Sequence, residues 1–198
     1  MGDTKKPKKK YSTSRHPWIA KEIAEFKILR EEFGLKNRRE ILKASSFLRK
    51  YKDIAKKLIA ASTVQAEKEK KDMQQKLHKL ALIPIDGSID NILSLQVRDV
   101  LNRRLETVVL KKGLARSIEQ SRQFITHRHI IVDNKEITSP SFLVSSEQEA
   151  KITFKINSAL RSEDHPERVN KAAQEIKAEA EAVRNYVKKK EPSEAEKA

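Results

Sequence analysis

The segment between residues 98 and 154 constrains the fold more than any other part of the chain, because its hydrophobic period changes partway through. In its first half, apolar residues recur every three or four positions, as on one face of a helix. This spacing predicts one helix over 97–112 and a second over 118–127. Ser117 and Gln120 form a capping signature for the second helix, since their side chains can satisfy free backbone N–H groups at its start.

The second half of this segment has the composition of a small sheet. Residues 129–132 are β-prone. The pair Asp133-Asn134 predicts a tight turn, because both residue types tolerate positive φ. Residues 135–137 would return as the partner strand, and 151–154 would close the sheet. The segment therefore predicts an α+β module of two helices packed against a β-hairpin and sheet.

The pattern before this module is helical. A first helix would follow residues 16–18 and end at Gly34, which tolerates the positive φ of a helix C-terminus. Asn37 and Glu40 form a capping signature for a second helix, which carries one apolar seam and a basic outer face. A third helix, with mixed charge, is predicted over 67–82.

Composition divides the chain into four predicted segments. Residues 1–15 form a basic arm, 16–95 a helical N-terminal domain and 96–160 the α+β module. Residues 161–198 are rich in Ala, Glu and Lys and form a charged tail with a marginal helical pattern. The expected fold class is therefore α+β, with a helical N-terminal region, a two-helix and β-hairpin module, and a helical C-terminal tail.

The charge of the chain limits its partners. Its 198 residues include 43 Lys and Arg against 28 Asp and Glu, which gives a formal net charge of +15. Such an excess favours a polyanion, either a nucleic acid or an anionic membrane surface. No apolar run approaches the roughly 18 residues that a membrane span needs, so we expect nucleic acid and no membrane.

Catalytic and metal chemistry have little support in the sequence. The chain has no cysteine, which excludes disulfides and Cys-ligated zinc or iron–sulfur sites and fits a reducing compartment. His127 and His129 could be a metal pair, but no carboxylate cluster completes the site. Gly-rich phosphate loops and nucleophile–base arrangements are also missing from the sequence. We therefore expect no enzyme activity, cofactor, metal or small-molecule substrate.

The second helix of the module carries the clearest candidate binding surface. Arg116, Gln120, Gln123 and His127 fall at steps of four, three and four, so they form one polar stripe. Arginines and amides in such a stripe can donate to phosphate oxygens and 2′-hydroxyls. Outside the module, Trp18 could stack on a base or pack against the first helix, and the sequence favours neither.

Several motifs resemble one family. The module resembles the S-four RNA-binding domain, and most of the chain resembles the small-subunit ribosomal protein S-four family of the archaeal and eukaryotic kind. The resemblance covers about residues 2–156. It is carried by RRLETVVLKKGLA (103–115), ARSIEQSRQFITHRHIIV (115–132), TSPSFLV (138–144), GDTKKPKKKY (2–11), HPW (16–18), FGLKNRREILKASSFLRKY (33–51) and ILSL (92–95).

The resemblance implies a structural constituent of the small ribosomal subunit. Such a protein would bind rRNA early in assembly, organise the five-prime domain and contribute to decoding accuracy. The implied partners are small-subunit rRNA, neighbouring ribosomal proteins including S-five, and mRNA where it enters the subunit. The implied location is the cytoplasm, within the small subunit. The alternative is an RNA-binding assembly or rRNA-processing factor that is not part of the ribosome.

The residues expected to contact RNA combine the polar stripe with the basic positions of the matching motifs. Arg and Lys would pair with phosphates, and the N–H groups at the helix start near Ser117 would bind an anion. The expected set is Lys8, Lys9, Lys10, Arg15, Arg38, Arg39, Arg49, Lys50, Arg103, Arg104, Lys111, Lys112, Arg116, Ser117, Gln120, Arg122, Gln123, His127, Arg128, His129 and Lys135.

The chain departs from the family pattern at two positions of the module. Arg128 stands where the family commonly has Gly between the paired histidines. Asp133-Asn134 stands where it commonly has Asn-Gly, at a cost of roughly several tenths of a kcal/mol. The arginine would either strain the junction between helix and strand or, with an ordinary φ, add a phosphate contact.

The two ends of the chain are expected to differ in importance. The arm has an excess of basic charge and should order against rRNA, whereas the tail alternates Glu with Lys and should bind RNA weakly. Deleting residues 163–198 should therefore leave subunit assembly largely intact, and deleting 1–15 should impair it.

Overall fold

The computed structural model describes residues 2, 9–84, 87–162, 165 and 167. Most of the predicted tail, and Lys8 of the arm, lie outside the described residues. The elements in chain order are α1 (Ala20–Glu32), α2 (Arg38–Ala60), α3 (Val64–Lys79), α4 (Asp90–Ser94), α5 (Val97–Asn102), α6 (Leu105–Lys111), α7 (Ile118–Thr126), β1 (Ile130–Val132), β2 (Lys135–Glu136), α8 (Ser146–Ala150) and β3 (Ile152–Phe154), followed by a 3₁₀ turn over Ala159–Arg161.

The buried side chains form two hydrophobic clusters. The first begins at Phe33 and ends at Leu101, and it unites α2, α3, α4 and α5. The second begins at Leu105 and ends at Leu160, and it unites α6, α7 and the sheet. Leu143, which lies late in the chain, packs on the first cluster and thereby ties the two together.

The sheet has the predicted hairpin and closing strand. Its strand order is β2-β1-β3, and both pairings are antiparallel. Asp133 and Asn134 have φ values of 51° and 62°, as a two-residue hairpin turn requires. Ile131 pairs with both Glu136 and Thr153, so the hairpin and β3 share one central strand. The α+β fold class is confirmed.

The predicted single helix over 97–112 is wrong. Two short helices, α5 and α6, are separated at Arg103 and Arg104. The N–H of Leu105 donates to the carbonyl of Phe142 at 2.8 Å, and the N–H of Val144 donates to the carbonyl of Arg103 at 3.0 Å. These bonds to the late segment replace helical ones, so a partner distant in sequence outweighs the local periodicity.

The start of α2 also differs from its predicted capping box. Asn37 is the N-cap residue, but its side chain makes no capping hydrogen bond. The carboxylate of Glu40 instead receives Arg104 and Arg122 from the second half of the chain. Two charged donors bind a carboxylate more strongly than one backbone N–H, which explains the difference. The third helix begins at Val64 rather than 67, since Thr63 caps it by accepting from the N–H of Ala66 at 3.2 Å.

Candidate nucleic-acid interface

Helix α7 presents the predicted polar stripe on the outside of the second cluster. Its inner face carries the buried residues Ser121, Phe124 and Ile125. On the outer face, the side chains of Gln123 and His127 are exposed. The side chains of Gln123 and His127 are therefore accessible to a partner.

Of the two capping hydrogen bonds predicted at the N-terminus of α7, one is present. The Oγ of Ser117 accepts from the N–H of Gln120 at 3.2 Å. The Oε1 of Gln120 accepts from the N–H of Arg116 at 2.7 Å, one residue earlier than in a capping box, and its Nε2 donates to the carbonyl of Glu167 at 3.0 Å. Both side chains therefore organise the helix start, and the amide of Gln120 is committed to bonds within the chain.

The hairpin beside α7 has its carboxylates neutralised by lysines. Lys151 Nζ donates to Asp133 Oδ1 at 2.8 Å, and Lys155 pairs with Glu136. These hydrogen bonds lower the pKa of both carboxyls, and the Asp133 bond raises the pKa of Lys151. Lys135 lies exposed between the two pairs. A surface with its acids neutralised in this way repels a phosphate backbone less than its sequence suggests.

The sequence leaves two alternatives for Arg128, a strained backbone or an ordinary φ, and the structure has the strained one. Its φ is 63°, in the left-handed region that favours glycine. Such a conformation costs a non-glycine residue about 1–3 kcal/mol. The side chain is exposed beside the hairpin, and neither it nor Lys135 forms a salt bridge within the described residues. The strained position therefore presents a cation at the centre of the outer surface.

The two histidines have different environments. His129 is half-buried, its Nδ1 lies 2.9 Å from Ser158 Oγ, and its ring meets Phe124 edge-on. His127 is exposed, with its ring centroid 6.5 Å from that of His129. Only His127 is placed to contact a partner directly.

Three predicted RNA contacts turn inward instead. Arg104 is only 4% exposed and pairs with Glu40 at 2.6 Å and Glu106 at 2.8 Å. Arg122 donates to the carbonyl of Gly34 at 2.8 Å and to Glu40 at 2.5 Å. Their placement does not support phosphate contacts, because the guanidinium groups are already bound to carboxylates.

Arg103 is the third of these residues. Its side chain pairs with Glu149 at 2.8 Å and donates to the carbonyl of Val144 at 3.2 Å. It is only 14% exposed, so it holds α8 and the late loop in place. We remove these arginines from the set of direct RNA contacts.

We call Arg104, Arg122, Glu40 and Glu106 the buried ion cluster. It joins α2 of the first half to α6 and α7 of the second. Burial raises the pKa of Glu106 from 4.5 to about 7, because lost hydration outweighs the attraction of Arg104 and Arg122. The side chain is fully buried, and its oxygens meet the guanidinium groups as ion pairs without well-aligned hydrogen bonds.

The sequence interpretation missed Glu40 and Glu106 as members of this cluster. The sequence pattern predicts a capping role for Glu40 and no role for Glu106. One signal was available: Glu106 lies between apolar residues at 105 and 108–109 of a helix, a position that a carboxylate occupies only when paired.

The remaining predicted contacts lie on three outer surfaces. Lys111 is the last residue of α6 and donates to Asn102 Oδ1 at 3.0 Å, and Lys112 is the C-cap of the same helix. Arg38 at the start of α2 donates to the carbonyl of Pro17 at 3.1 Å, while Arg39 is exposed. The other predicted contacts lie either in the arm or on the part of α2 that the arm lies against, and they are Lys9, Lys10, Arg15, Arg49 and Lys50.

Comparison with known proteins identifies the family. The S4 domain model matches residues 103–149. The small ribosomal subunit protein uS4 of Ignicoccus hospitalis is 44% identical over 154 residues, which cover 78% of this chain and 93% of that protein. The chain belongs to the uS4 family of small ribosomal subunit proteins.

A second relative matches this chain over nearly the whole length of that relative. The uS4 protein of Methanococcus maripaludis strain C7 is 42% identical over 176 residues, or 88% of this chain and 99% of that protein. The S4 match coincides with the second hydrophobic cluster and its outer stripe. Both uS4 matches are longer than the S4 domain itself, so the likeness includes helical regions outside it. Among the described residues of this uS4 chain, no helix combines the length and the apolarity needed to cross a bilayer.

Proposed function

We propose that this uS4 protein is a structural constituent of the small ribosomal subunit that binds rRNA and catalyses no reaction. The single observation that carries the proposal is family membership along most of the chain, at 42–44% identity to two archaeal uS4 proteins. The outer surface described above is consistent with it. Exposed Gln123, His127, Arg128 and Lys135 lie together around the junction of α7 and the hairpin.

The proposed mechanism uses shape and backbone charge. Exposed Arg and Lys side chains displace condensed cations from RNA phosphates, and amides reach 2′-hydroxyls across a shallow groove. The buried ion cluster contributes indirectly, since it fixes the S4 domain against α2. Basic residues on both halves then meet the RNA in one arrangement.

The resemblance supports a more detailed placement. In that placement the protein binds the five-prime domain of the rRNA early in assembly, beside ribosomal protein S-five and near the point where mRNA enters. It contributes there to decoding accuracy, within cytoplasmic ribosomes. The direct RNA contacts of the proposal are the predicted set without Arg103, Arg104, Gln120, Arg122 and His129.

Salt dependence tests the mechanism. The full chain is titrated with a five-prime domain transcript at several salt concentrations. A protein that neutralises about 6 phosphates loses about a thousandfold in affinity between roughly 50 and 200 mM salt. An affinity that hardly changes over this range would contradict binding through phosphates.

Copurification separates a ribosome component from an assembly factor. Small subunits that are engaged in translation are purified, and the amount of this protein is measured against other subunit proteins. We expect one copy per mature subunit. Presence only on precursor particles would favour the assembly factor instead.

A further inference from the structure

Trp18 is the most exposed large hydrophobic side chain among the described residues, at 88% of its surface. This removes the alternative that it packs against the first helix. Burying an indole is favourable, so the surroundings of Trp18 indicate which partner could cover it.

The backbone that carries Trp18 is held in place by α2. Arg38 donates to the carbonyl of Pro17 at 3.1 Å. The same guanidinium lies 4.2 Å from the ring centroid of Phe26 and 3.5 Å from Glu22. Arg38 therefore connects the Trp18 segment to both α1 and α2, and it presents the indole from a fixed position.

The arm preceding Trp18 lies along α2 in the opposite direction. The N–H of Ser12 donates to Ser46 Oγ at 3.0 Å, and Arg49 donates to Ser12 Oγ at 3.3 Å. Arg38 and Ser46 are eight residues apart on the helix, or about 12 Å along its axis. Thus Trp18 lies near the start of α2, and the earlier arm residues lie progressively further along it.

The arm and α2 enclose an open groove of about 570 Å³. Five cations and one carboxylate line it, namely Lys9, Lys10, Arg49, Lys50, Lys57 and Asp53. Between Lys9 and Lys21 the arm contains no acidic residue. Trp18 lies outside the lining of this groove, nearer the start of α2. A basic groove with an exposed aromatic ring beyond one end can bind single-stranded nucleic acid, because the groove follows the backbone and the ring stacks on a base.

We propose that this groove, with Trp18, binds an unpaired segment of small-subunit rRNA as a site separate from the S4 domain. The inference rests on the proposed function, and it adds the position and the strandedness of a second RNA contact. Phosphates lie in the groove, and one base stacks on the indole of Trp18. The interior of a duplex is excluded at the ring, since its bases are stacked on each other and expose no free face.

The length of α2 beside the groove and Trp18 indicates how long the bound RNA strand must be. From Arg38 to Lys57 the helix rises about 28 Å, which corresponds to about eight stacked nucleotides at roughly 3.4 Å each. A ten-nucleotide strand is therefore long enough to reach both the groove and Trp18. An acidic protein would also suit the charge, but it gives no reason for a groove open along its length.

The fluorescence of Trp18 tests the proposal directly, because it is the one tryptophan of the chain. The full-length protein is titrated with a ten-nucleotide single-stranded RNA and with a long RNA duplex at equal phosphate concentration, under excitation selective for tryptophan. We expect the single strand to quench the emission strongly and the duplex to leave it nearly unchanged. Equal quenching by both, or none at saturating single strand, would overturn the proposal.

Substitutions give the matching affinities. Trp18→Ala should weaken single-strand binding about 5- to 150-fold, since stacking is worth about 1–3 kcal/mol per base, whereas Trp18→Phe should retain much of the affinity. Lys57→Gln should reduce the salt dependence of the same binding. Val64→Ala is the control, because that side chain is 73% exposed on α3 and outside the groove. Wild-type affinity in Trp18→Ala would overturn the proposal.

The outcomes also separate this site from the proposed function. If single-strand binding is unaffected by Trp18→Ala while the five-prime domain transcript still binds in a salt-dependent manner, only the second site fails. If the wild-type chain does not bind the transcript at all, the proposed function itself fails. Protection of Trp18 in mature subunits by a protein, with no photochemical crosslink to rRNA, would assign the ring to a protein partner and overturn the inference.

Discussion

The arginines of the S4 domain divide into an inner and an outer set that the sequence does not distinguish. Arg104 and Arg122 lie in the buried ion cluster, where two carboxylates bind them. Arg128 lies outside, where the described residues offer it no salt bridge and the backbone is strained. The comparison shows that a basic residue in a nucleic-acid-binding motif can stabilise the fold or bind the ligand, and that nearby carboxylates decide which.

Removing an inner arginine should have the largest effect on stability. Arg104→Ala leaves Glu106 fully buried with one cation fewer, and it removes one of the two arginines that pair with Glu40 across the two halves. We expect a loss of about 3–5 kcal/mol in the free energy of unfolding, measured by urea denaturation. Lys135→Ala is the outer control and should change it by less than about 0.5 kcal/mol. Similar losses in both variants would break the distinction.

The pH dependence of stability should identify the inner set by a second route. The pKa of Glu106 is raised to about 7 in the folded state from 4.5, so the folded protein binds this proton more tightly than the unfolded chain does. Stability from this group is therefore highest below pH 4.5 and falls as pH rises towards 7, by up to about 3 kcal/mol.

Glu106→Gln isolates this contribution, because its amide does not titrate and all other groups remain. Arg104, Arg122 and Glu40 face residue 106 in both proteins. We compare denaturant midpoints of wild type and variant between pH 5 and 8. As pH rises, the denaturant midpoint of Glu106→Gln should increase relative to that of wild type. A difference in midpoint that stays constant would show that Glu106 keeps its charge throughout this range.

Changes to the outer stripe should affect binding and leave stability nearly constant. Replacing both Arg116 and Gln123 with Ala should weaken transcript binding about tenfold, since it removes one cation and one amide donor from the face of α7. The melting temperature should stay within a few degrees of wild type. A large drop in melting temperature would place these residues with the inner set.

The smallest effect should occur at Arg128, where stability and binding are expected to change in opposite directions. Arg128→Gly relieves a φ of 63° and should raise stability by up to about 1 kcal/mol, while it lowers RNA affinity by removing a cation. Asn134→Gly is a matched control, because it relieves a φ of 62° in the hairpin and removes no charge. Weaker RNA binding by the control would mean that backbone shape, and not charge, explains the effect.

The sequence predicted the features of the fold that depend on neighbouring residues. The hairpin turn, the closing strand and the Ser117 cap follow from φ preferences, alternation and local hydrogen bonding, and all are present. The break at Arg103-Arg104 depends on a segment about 40 residues later, and the binding of Glu40 depends on residues 64 and 82 positions away. Local patterns do not encode such partners, which is why those two predictions were wrong.

The same limit applied to the candidate site. Helical spacing correctly predicted which α7 residues face outward, because Ser121 and Ile125 fix the inner face. Spacing alone did not show that Arg122 turns towards Gly34, or that the arm docks on α2 through Ser12. The division into segments 1–15, 16–95, 96–160 and 161–198 stays a prediction.

The sequence separation within the buried ion cluster has a consequence for synthesis of the chain. Glu40 is made 64 residues before Arg104 and 82 before Arg122. At a translation rate of roughly 5–20 residues per second, that carboxylate waits about 4–16 seconds for its second arginine. The fully buried residues of the first hydrophobic cluster end at Leu101, so all of these are made before either arginine, and only the partly buried Leu143 is added later. The N-terminal half can thus collapse during translation while the start of α2 stays hydrated. The arginines of the S4 domain complete the buried ion cluster afterwards.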